Sequence, residues 1–205
     1  MTPHYWPQAT HALATADAVL EKLIEQFEGM AIGSRGDAFS TLARAIVGQQ
    51  LSVKAAQSVW ERLRVELVPM MPGTLLKAQT ARLRACGLSG QKVVYLRDLA
   101  ERFESKALDV SAWNALDDEA VIEQLTQVKG IGRWTAEMFL IFYMARPDVF
   151  PLDDVGLQRA LRTCYNRGRP LSLARMRKIG AGWAPWRSVA TWYLWRSLDP
   201  LPLQY

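Results

Sequence analysis

Hydrophobic residues recur along this chain at helical rather than strand spacing. From Ser52 to Leu67 the apolar positions Val53, Ala56, Trp60, Leu63 and Leu67 alternate by steps of three and four, with Ser52 placed as an N-cap. From Ser89 to Phe103, Val93, Leu96, Ala100 and Phe103 mark one face, with Arg97, Asp98 and Glu101 directed outward. The same pattern predicts helices at about Asp17 to Glu28, Ala38 to Gly48, Thr80 to Cys86, Asp117 to Leu125, Arg133 to Ala145, Asp154 to Tyr165, Ser172 to Ile179 and Pro185 to Ser197. Pro69 to Gly73 and Asn166 to Pro170 break the chain, and Pro200 and Pro202 end the last helix. Period-two alternation is absent, so the expectation is an all-α, two-lobed bundle of about ten helices with a cleft between the lobes. One lobe is discontinuous, residues 1–51 with 147–205; the other is residues 52–146.

Composition narrows this picture. At 205 residues, half of them hydrophobic, the chain can bury one good core or two small ones. Its 25 basic against 20 acidic side chains give +5, which favours a polyanionic partner. The segment Met1-Thr2-Pro3-His4-Tyr5-Trp6-Pro7 lacks the basic region and apolar core expected of a secretory signal. The longest apolar run, Met138 to Ala145, is far shorter than the roughly 20 residues that cross a bilayer. The expected setting is therefore inside the cell, cytoplasmic in a bacterium or nuclear in a eukaryote, with no membrane partner and as a monomer. Cys86 and Cys164 lie far apart, and His4 and His11 are the only histidines, which argues against a zinc site, a four-cysteine cluster and a His-based triad.

A glycine-centred turn, Val128-Lys129-Gly130-Ile131-Gly132-Arg133-Trp134-Thr135-Ala136, joins two of the predicted helices. Gly-x-Gly after a helix is commonly only a C-cap, but the full string Val-x-Gly-Ile-Gly-x-x-Thr-Ala is far more restrictive. It is built like a helix-hairpin-helix over about residues 117–145. The first amides of the second helix lack intrahelical partners and sit at its positive end, so they suit a phosphate. Gly130 and Gly132 allow close approach, Lys129 and Arg133 add charge, and Ile131 and Thr135 complete the candidate DNA-binding set. Such contacts provide affinity with little sequence preference.

An acidic doublet follows, Asp153-Asp154, at a predicted helix start. Either residue alone would be read as a cap; as a pair, one caps while the other is free to face the cleft. An ionised carboxylate suits a reaction that generates a cation, such as hydrolysis of a base–deoxyribose bond through an oxocarbenium-like transition state. Reaching that bond requires taking the nucleotide out of the stack, which calls for an aromatic pocket and a group to fill the gap. The chain has eight tryptophans. Most belong in the core, with Trp186 and Tyr193 expected to share a buried face; Trp134 and Trp195 are assigned to a pocket that stacks on an alkylated purine.

The chain resembles the helix-hairpin-helix DNA glycosylases, and within them the 3-methyladenine DNA glycosylase II family, from about Arg35 to Ser197. Matching segments are Ala45-Ile46-Val47-Gly48-Gln49-Gln50-Leu51-Ser52, Leu83-Arg84-Ala85-Cys86-Gly87-Leu88 with Gln91-Lys92, the hairpin, the doublet, and Trp183-Ala184-Pro185-Trp186-Arg187-Ser188. The resemblance implies that Asp154 is catalytic, that Trp134 and Trp195 line the base pocket, and that Gln50 or Leu51 plugs the vacated stack. It also implies that hairpin carbonyls can hold a sodium or potassium ion, with no metal held by side chains and no cofactor required. Where strand-cleaving relatives carry a Schiff-base lysine, this chain has Trp134, which implies a monofunctional enzyme. The implied reaction releases alkylated purines, such as 3-methyladenine and 7-methylguanine, from double-stranded DNA and leaves an abasic site. Two departures stand out: Met138 occupies the position of a pocket tyrosine, and the segment before the first match has no room for the amino-terminal β-containing domain of the larger bacterial member. The competing readings are a non-catalytic binding module for damaged DNA and a bifunctional glycosylase/lyase using another lysine, such as Lys129.

Overall fold

The computed structural model describes residues 2–33 and 36–198, so Pro200 and Pro202, and Arg35 at the start of the resemblance, lie outside the described residues. The described residues form twelve α-helices and no strand: α1 (Trp6–Ala16), α2 (Ala18–Gln26), α3 (Ala38–Gly48), α4 (Val53–Glu66), α5 (Pro72–Lys77), α6 (Thr80–Ala85), α7 (Gly90–Glu104), α8 (Asp118–Thr126), α9 (Arg133–Phe142), α10 (Val155–Asn166), α11 (Leu173–Ala181) and α12 (Arg187–Leu198). A 3-10 turn lies at Trp113–Ala115. Asp17, Asp37, Ser52, Ser89, Asp117, Asp154 and Ser172 each accept an amide of the helix they precede. Each such cap contributes about 1 kcal/mol and fixes where the helix begins.

Three local expectations change. The stretch Pro69 to Gly73 is not simply a break, because Pro72 opens α5, where a missing N–H costs nothing. Helix α9 stops at Phe142 rather than Ala145: Ala145 turns left-handed at φ 52, and Arg146 N closes onto Leu140 O at 2.9 Å. Arg97 and Asp98 do not simply face outward; they are half-buried, Arg97 donating to Ala78 O at 2.8 Å and Asp98 accepting from Lys129 N at 2.9 Å.

The chain divides into two compact units, Met1–Arg35 with Leu140–Tyr205, and Gly36–Phe139. Helix α3 therefore belongs with the middle segment, not with the amino-terminal lobe expected to span residues 1–51. Its buried face, Phe39, Leu42, Ala43, Ile46 and Val47, packs on α4 and α7. The second boundary likewise falls inside α9, not at Pro147.

In the Gly36–Phe139 unit, α7 packs against α3, α5 and α6. A chain of edge-on rings, Phe39 to Phe103 to Trp113 to Phe139, runs through it at centroid separations of 5.4, 6.5 and 5.4 Å. In the other unit α12 is central, touching α1, α2 and α10, and every residue from Ser188 to Arg196 is buried. A helix covered on all sides has no polar face, which is why its sequence lacks a clear amphipathic stripe. Tyr193 is buried against Trp6 and Trp192 at 5.9 and 4.9 Å. Trp186 does not share that face: it precedes α12, is half-buried, and stacks on Tyr5 at 5.7 Å.

Asp17 ties this unit together. One carboxylate oxygen caps α2 through Val19 N and Leu20 N, at 2.9 and 3.2 Å, and the other accepts Tyr165 OH at 2.7 Å and Trp183 Nε1 at 3.1 Å. Burial, reinforced by the adjacent carboxylate, pushes the Tyr165 hydroxyl well above its ordinary pKa. Asp17→Ala is expected to lower unfolding free energy by about 2–4 kcal/mol, the sum of a lost cap and two orphaned donors. Urea denaturation measures it, and a loss below about 1 kcal/mol would contradict this account of the network.

Candidate active site

The acidic doublet resolves into two unequal residues. Asp153 is exposed, whereas Asp154 is half-buried and is itself the N-cap of α10. Its Oδ1 accepts from Leu157 N at 2.6 Å and from Trp195 Nε1 at 2.8 Å. The division of labour expected from the sequence, one aspartate capping and the other free, is thus corrected: capping and candidate chemistry coincide in Asp154. Two N–H donors and the positive end of α10 converge on one carboxylate, a fixed orientation that costs no reorganisation during a reaction.

Trp195 is 6% exposed. Its ring lies nearly parallel to that of Phe142, at 15° and 5.8 Å. Its indole is thus engaged with a neighbouring ring as well as with Asp154. Gly156 completes the cluster. A Cβ there would lie 3.0 Å from Asp154 Oδ1 and 3.5 Å from Trp195 Cδ1 and Nε1, so the absence of a side chain leaves room for the hydrogen bond. Phe142 and Gly156 were not legible as site residues in the sequence. Phe142 is submerged in the apolar run after the hairpin, and Gly156 has no φ requirement that would mark it.

The hairpin lies in the Gly36–Phe139 unit. Val128 and Ile131 are buried and pin the turn, with Ile131 N donating to Val128 O at 3.0 Å. Gly130 has φ +84, and a Cβ there would fall 2.2–2.7 Å from atoms of the Tyr95 ring. Gly132 is different: it is exposed, and nothing lies within 4 Å of its would-be Cβ. Gly132 O accepts Ala136 N at 3.1 Å, which marks the start of α9 and leaves the next amides without helical partners. The open approach expected of both glycines is therefore found at Gly132, and Gly130 serves the turn.

The charges of the hairpin are also redistributed. The Arg133 guanidinium forks onto the Glu119 carboxylate, with Nη1 to Oε2 at 2.8 Å, and its Nε reaches Glu137 Oε1 at 3.1 Å. These carboxylates, Glu119 first, hold the guanidinium pKa above its ordinary value. Its charge is balanced within the protein rather than offered outright to a phosphate. The amide of Lys129 is bound to Asp98 Oδ2, while the residue is exposed. Burial acts to raise the Asp98 carboxyl, but the bonds from Lys129 N and Arg102 outweigh it and bring its pKa below the usual range. Thr135 is half-buried in the first turn of α9. One turn apart on that helix, Trp134 is 45% exposed and Met138 only 7%. Of the three residues assigned to a base pocket, Trp134 alone presents an exposed ring.

The Gln50–Leu51 turn, between α3 and α4, is held by contacts the sequence did not reveal. Gln50 is exposed in the left-handed region at φ 58, and Leu51 is 40% exposed. Beneath them Gln49 Nε2 donates to Gly130 O at 2.7 Å, and Lys92 Nζ donates to Val47 O and Gln49 O, both at 2.7 Å. Burial lowers the Lys92 pKa. A left-handed non-glycine residue is uncommon and persists where the surroundings determine it. Here Lys92 and Gln49 tie that turn to the hairpin.

The profile of the family described as HhH-GPD superfamily base excision DNA repair protein matches residues 43–185. The chain is 33% identical over 183 residues to DNA-3-methyladenine glycosylase 1 of Schizosaccharomyces pombe, covering 87% of this chain and 80% of that protein. Among solved structures, a DNA-3-methyladenine glycosidase from Bacillus halodurans superposes with a TM-score of 0.85 at 35% identity, covering 93% of this chain and 89% of the other. A 3-methyladenine DNA glycosylase from Schizosaccharomyces pombe, solved in complex with abasic DNA, superposes with a TM-score of 0.78 at 29% identity, covering 97% and 99% of the two chains. With the profile spanning most of its length, from α3 to the approach to α12, this chain belongs to the HhH-GPD superfamily of base excision DNA repair proteins.

Proposed function

We propose that this protein is a monofunctional DNA glycosylase that hydrolytically releases alkylated purines, 3-methyladenine and 7-methylguanine among them, from double-stranded DNA. The observation that carries the reading is Asp154, aimed by Leu157 N and Trp195 Nε1 at the head of α10. The amides at the start of α9 hold a phosphate, and the exposed ring of Trp134 stacks on the extruded base. Gln50 or Leu51 fills the vacated stack. As the bond to the base lengthens, positive charge grows on the deoxyribose, and the Asp154 carboxylate stabilises it while aligning water. An alkylated purine already carries positive charge, which favours its contact with an indole face. The relatives are named DNA-3-methyladenine glycosylases, which supports this substrate class.

The chemistry needs no cofactor. The hairpin carbonyls of Val128 and Gly130 each accept one hydrogen bond and keep a second lone pair, so the turn suits a sodium or potassium ion; no step passes through it. Trp134 stands where a Schiff-base lysine would follow the hairpin arginine. Borohydride added during turnover is therefore expected to trap no covalent protein–DNA adduct; an adduct lost on Lys129→Gln would establish the lyase reading instead.

The direct test is a duplex oligonucleotide bearing one 7-methylguanine. Incubation followed by hot alkali should cleave the strand at the lesion. Tight binding to an abasic duplex without any base release would establish the non-catalytic binding module.

A further inference from the structure

Charge is distributed very unevenly along this chain. Between Val155 and Leu198 there are nine arginines and lysines and no aspartate or glutamate, so the rest of the chain carries −4, the total of +5 less these nine. The excess positive charge therefore does not reside on the hairpin, whose Arg133 is balanced by Glu119 and Glu137.

Three of the nine have structural work: Arg162 donates to Gln158 Oε1, Arg187 forks onto Asp148, and buried Arg196 lies over the Trp192 ring at 5.4 Å. The other six, Arg159, Arg167, Arg169, Arg175, Arg177 and Lys178, are exposed, and none forms a salt bridge among the described residues. They lie on α10, on α11 and on the loop between them. That loop is firmly built: Gly168 N donates to Arg162 O at 2.9 Å, and Asn166 Nδ2 donates to Arg169 O and Pro170 O at 3.2 and 2.9 Å.

Folding does not account for this set. Arg167 caps the C-terminus of α10, where a cation is favourable, but Arg169 and Arg175 bracket the start of α11, where a cation opposes the helix dipole and no acidic residue offsets it. Six like charges without counter-charges also repel one another. They are spread over two helices and a loop, so they suit an extended polyanion rather than a single small anion. A twelve-residue helix such as α10 is about 18 Å long, the reach of several phosphates along a duplex.

We propose that the exposed basic residues of α10, α11 and the loop between them are a second, sequence-independent set of contacts to the phosphate backbone of duplex DNA, separate from the hairpin. It rests on the reading of this protein as one that acts on DNA. It adds attraction and salt dependence to what the hairpin, with its arginine balanced by Glu119 and Glu137, supplies.

The test is a variant with Arg167, Arg169, Arg175, Arg177 and Lys178 all replaced by Gln, beside the double variant Arg169→Gln/Arg175→Gln. Kd for a lesion-free 30-base-pair duplex is measured from 50 to 300 mM salt. The slope of log Kd against log salt should become shallower by about 0.9 for each phosphate the variant no longer neutralises, about 2–4 in the fivefold variant and less in the double. The thermal midpoint should not fall, and base release from saturating lesion duplex should keep its rate. An unchanged slope overturns the surface, as does loss of binding to anionic phosphatidylserine vesicles with DNA binding intact, which assigns the face to a membrane. Unchanged slope with active wild type refutes only this surface; a shallower slope with inactive wild type refutes only the glycosylase reading.

Discussion

Asp154→Asn is expected to reduce base release by about 10²–10⁴-fold while leaving the protein folded. Asparagine keeps a side-chain oxygen where Oδ1 stands, so Leu157 N and Trp195 Nε1 retain an acceptor. The cap of α10 survives, and unfolding free energy should change by no more than about 1 kcal/mol. What disappears is the negative charge that stabilises the developing sugar cation and aligns water, contributions of this size in comparable chemistry. Alanine is the poorer probe, because it removes the cap and leaves the buried Trp195 N–H unsatisfied at a cost of about 1–3 kcal/mol. Single-turnover release of 7-methylguanine, paired with a urea melt of the same preparation, separates the effects. An Asn variant as fast as wild type would remove Asp154 from the chemistry.

The two hairpin glycines should fail in different ways. Gly130→Ala forces an L residue into φ +84, costing about 1–2 kcal/mol, and drives its Cβ into the Tyr95 ring, a further 1–3 kcal/mol or so of overpacking. That total is a large fraction of the stability of an ordinary domain. The Gly130 carbonyl would shift with it, loosening the bond from Gln49 and with it the Gln50–Leu51 turn. DNA binding should weaken for all duplex sequences alike. Gly132→Ala meets no atom within 4 Å and should melt like wild type, yet bind DNA more weakly because its methyl stands where a phosphate must approach. Melts and Kd values on several unrelated duplexes decide both. A fully stable Gly130→Ala would contradict the Tyr95 contact, and a Gly132→Ala defect confined to one sequence would contradict phosphate recognition.

The two glycines also show what the sequence revealed of this site and where it fell short. The string around them marks a hairpin, because a left-handed turn and a following helix start are local events. Which glycine the turn requires and which is left open depends on Tyr95, a residue 35 positions earlier that no spacing rule connects to the motif. Arg133 behaves likewise: its type and place suggest a phosphate contact, but Glu119, on the preceding helix, reaches it in space. Gln49 and Lys92 lie inside the segments that carry the family resemblance, yet only their bonds to Gly130 O, Val47 O and Gln49 O give them a role.

The amino-acid sequence by itself determined that the chain is all-helical and where most helices begin, and it marked a glycine-centred hairpin and an acidic helix start as the candidate site. Those properties arise from residues within about four positions of one another, through side-chain periodicity and capping. Tertiary structure alone decided that α3 joins the middle unit, that α12 is buried from Ser188 to Arg196, and that Asp154, already singled out by the family resemblance, both caps α10 and accepts a bond from Trp195. Asp154 stands out from its neighbour because Trp195, 41 residues away, donates to its carboxylate, and a contact of that kind exists only once the chain has packed.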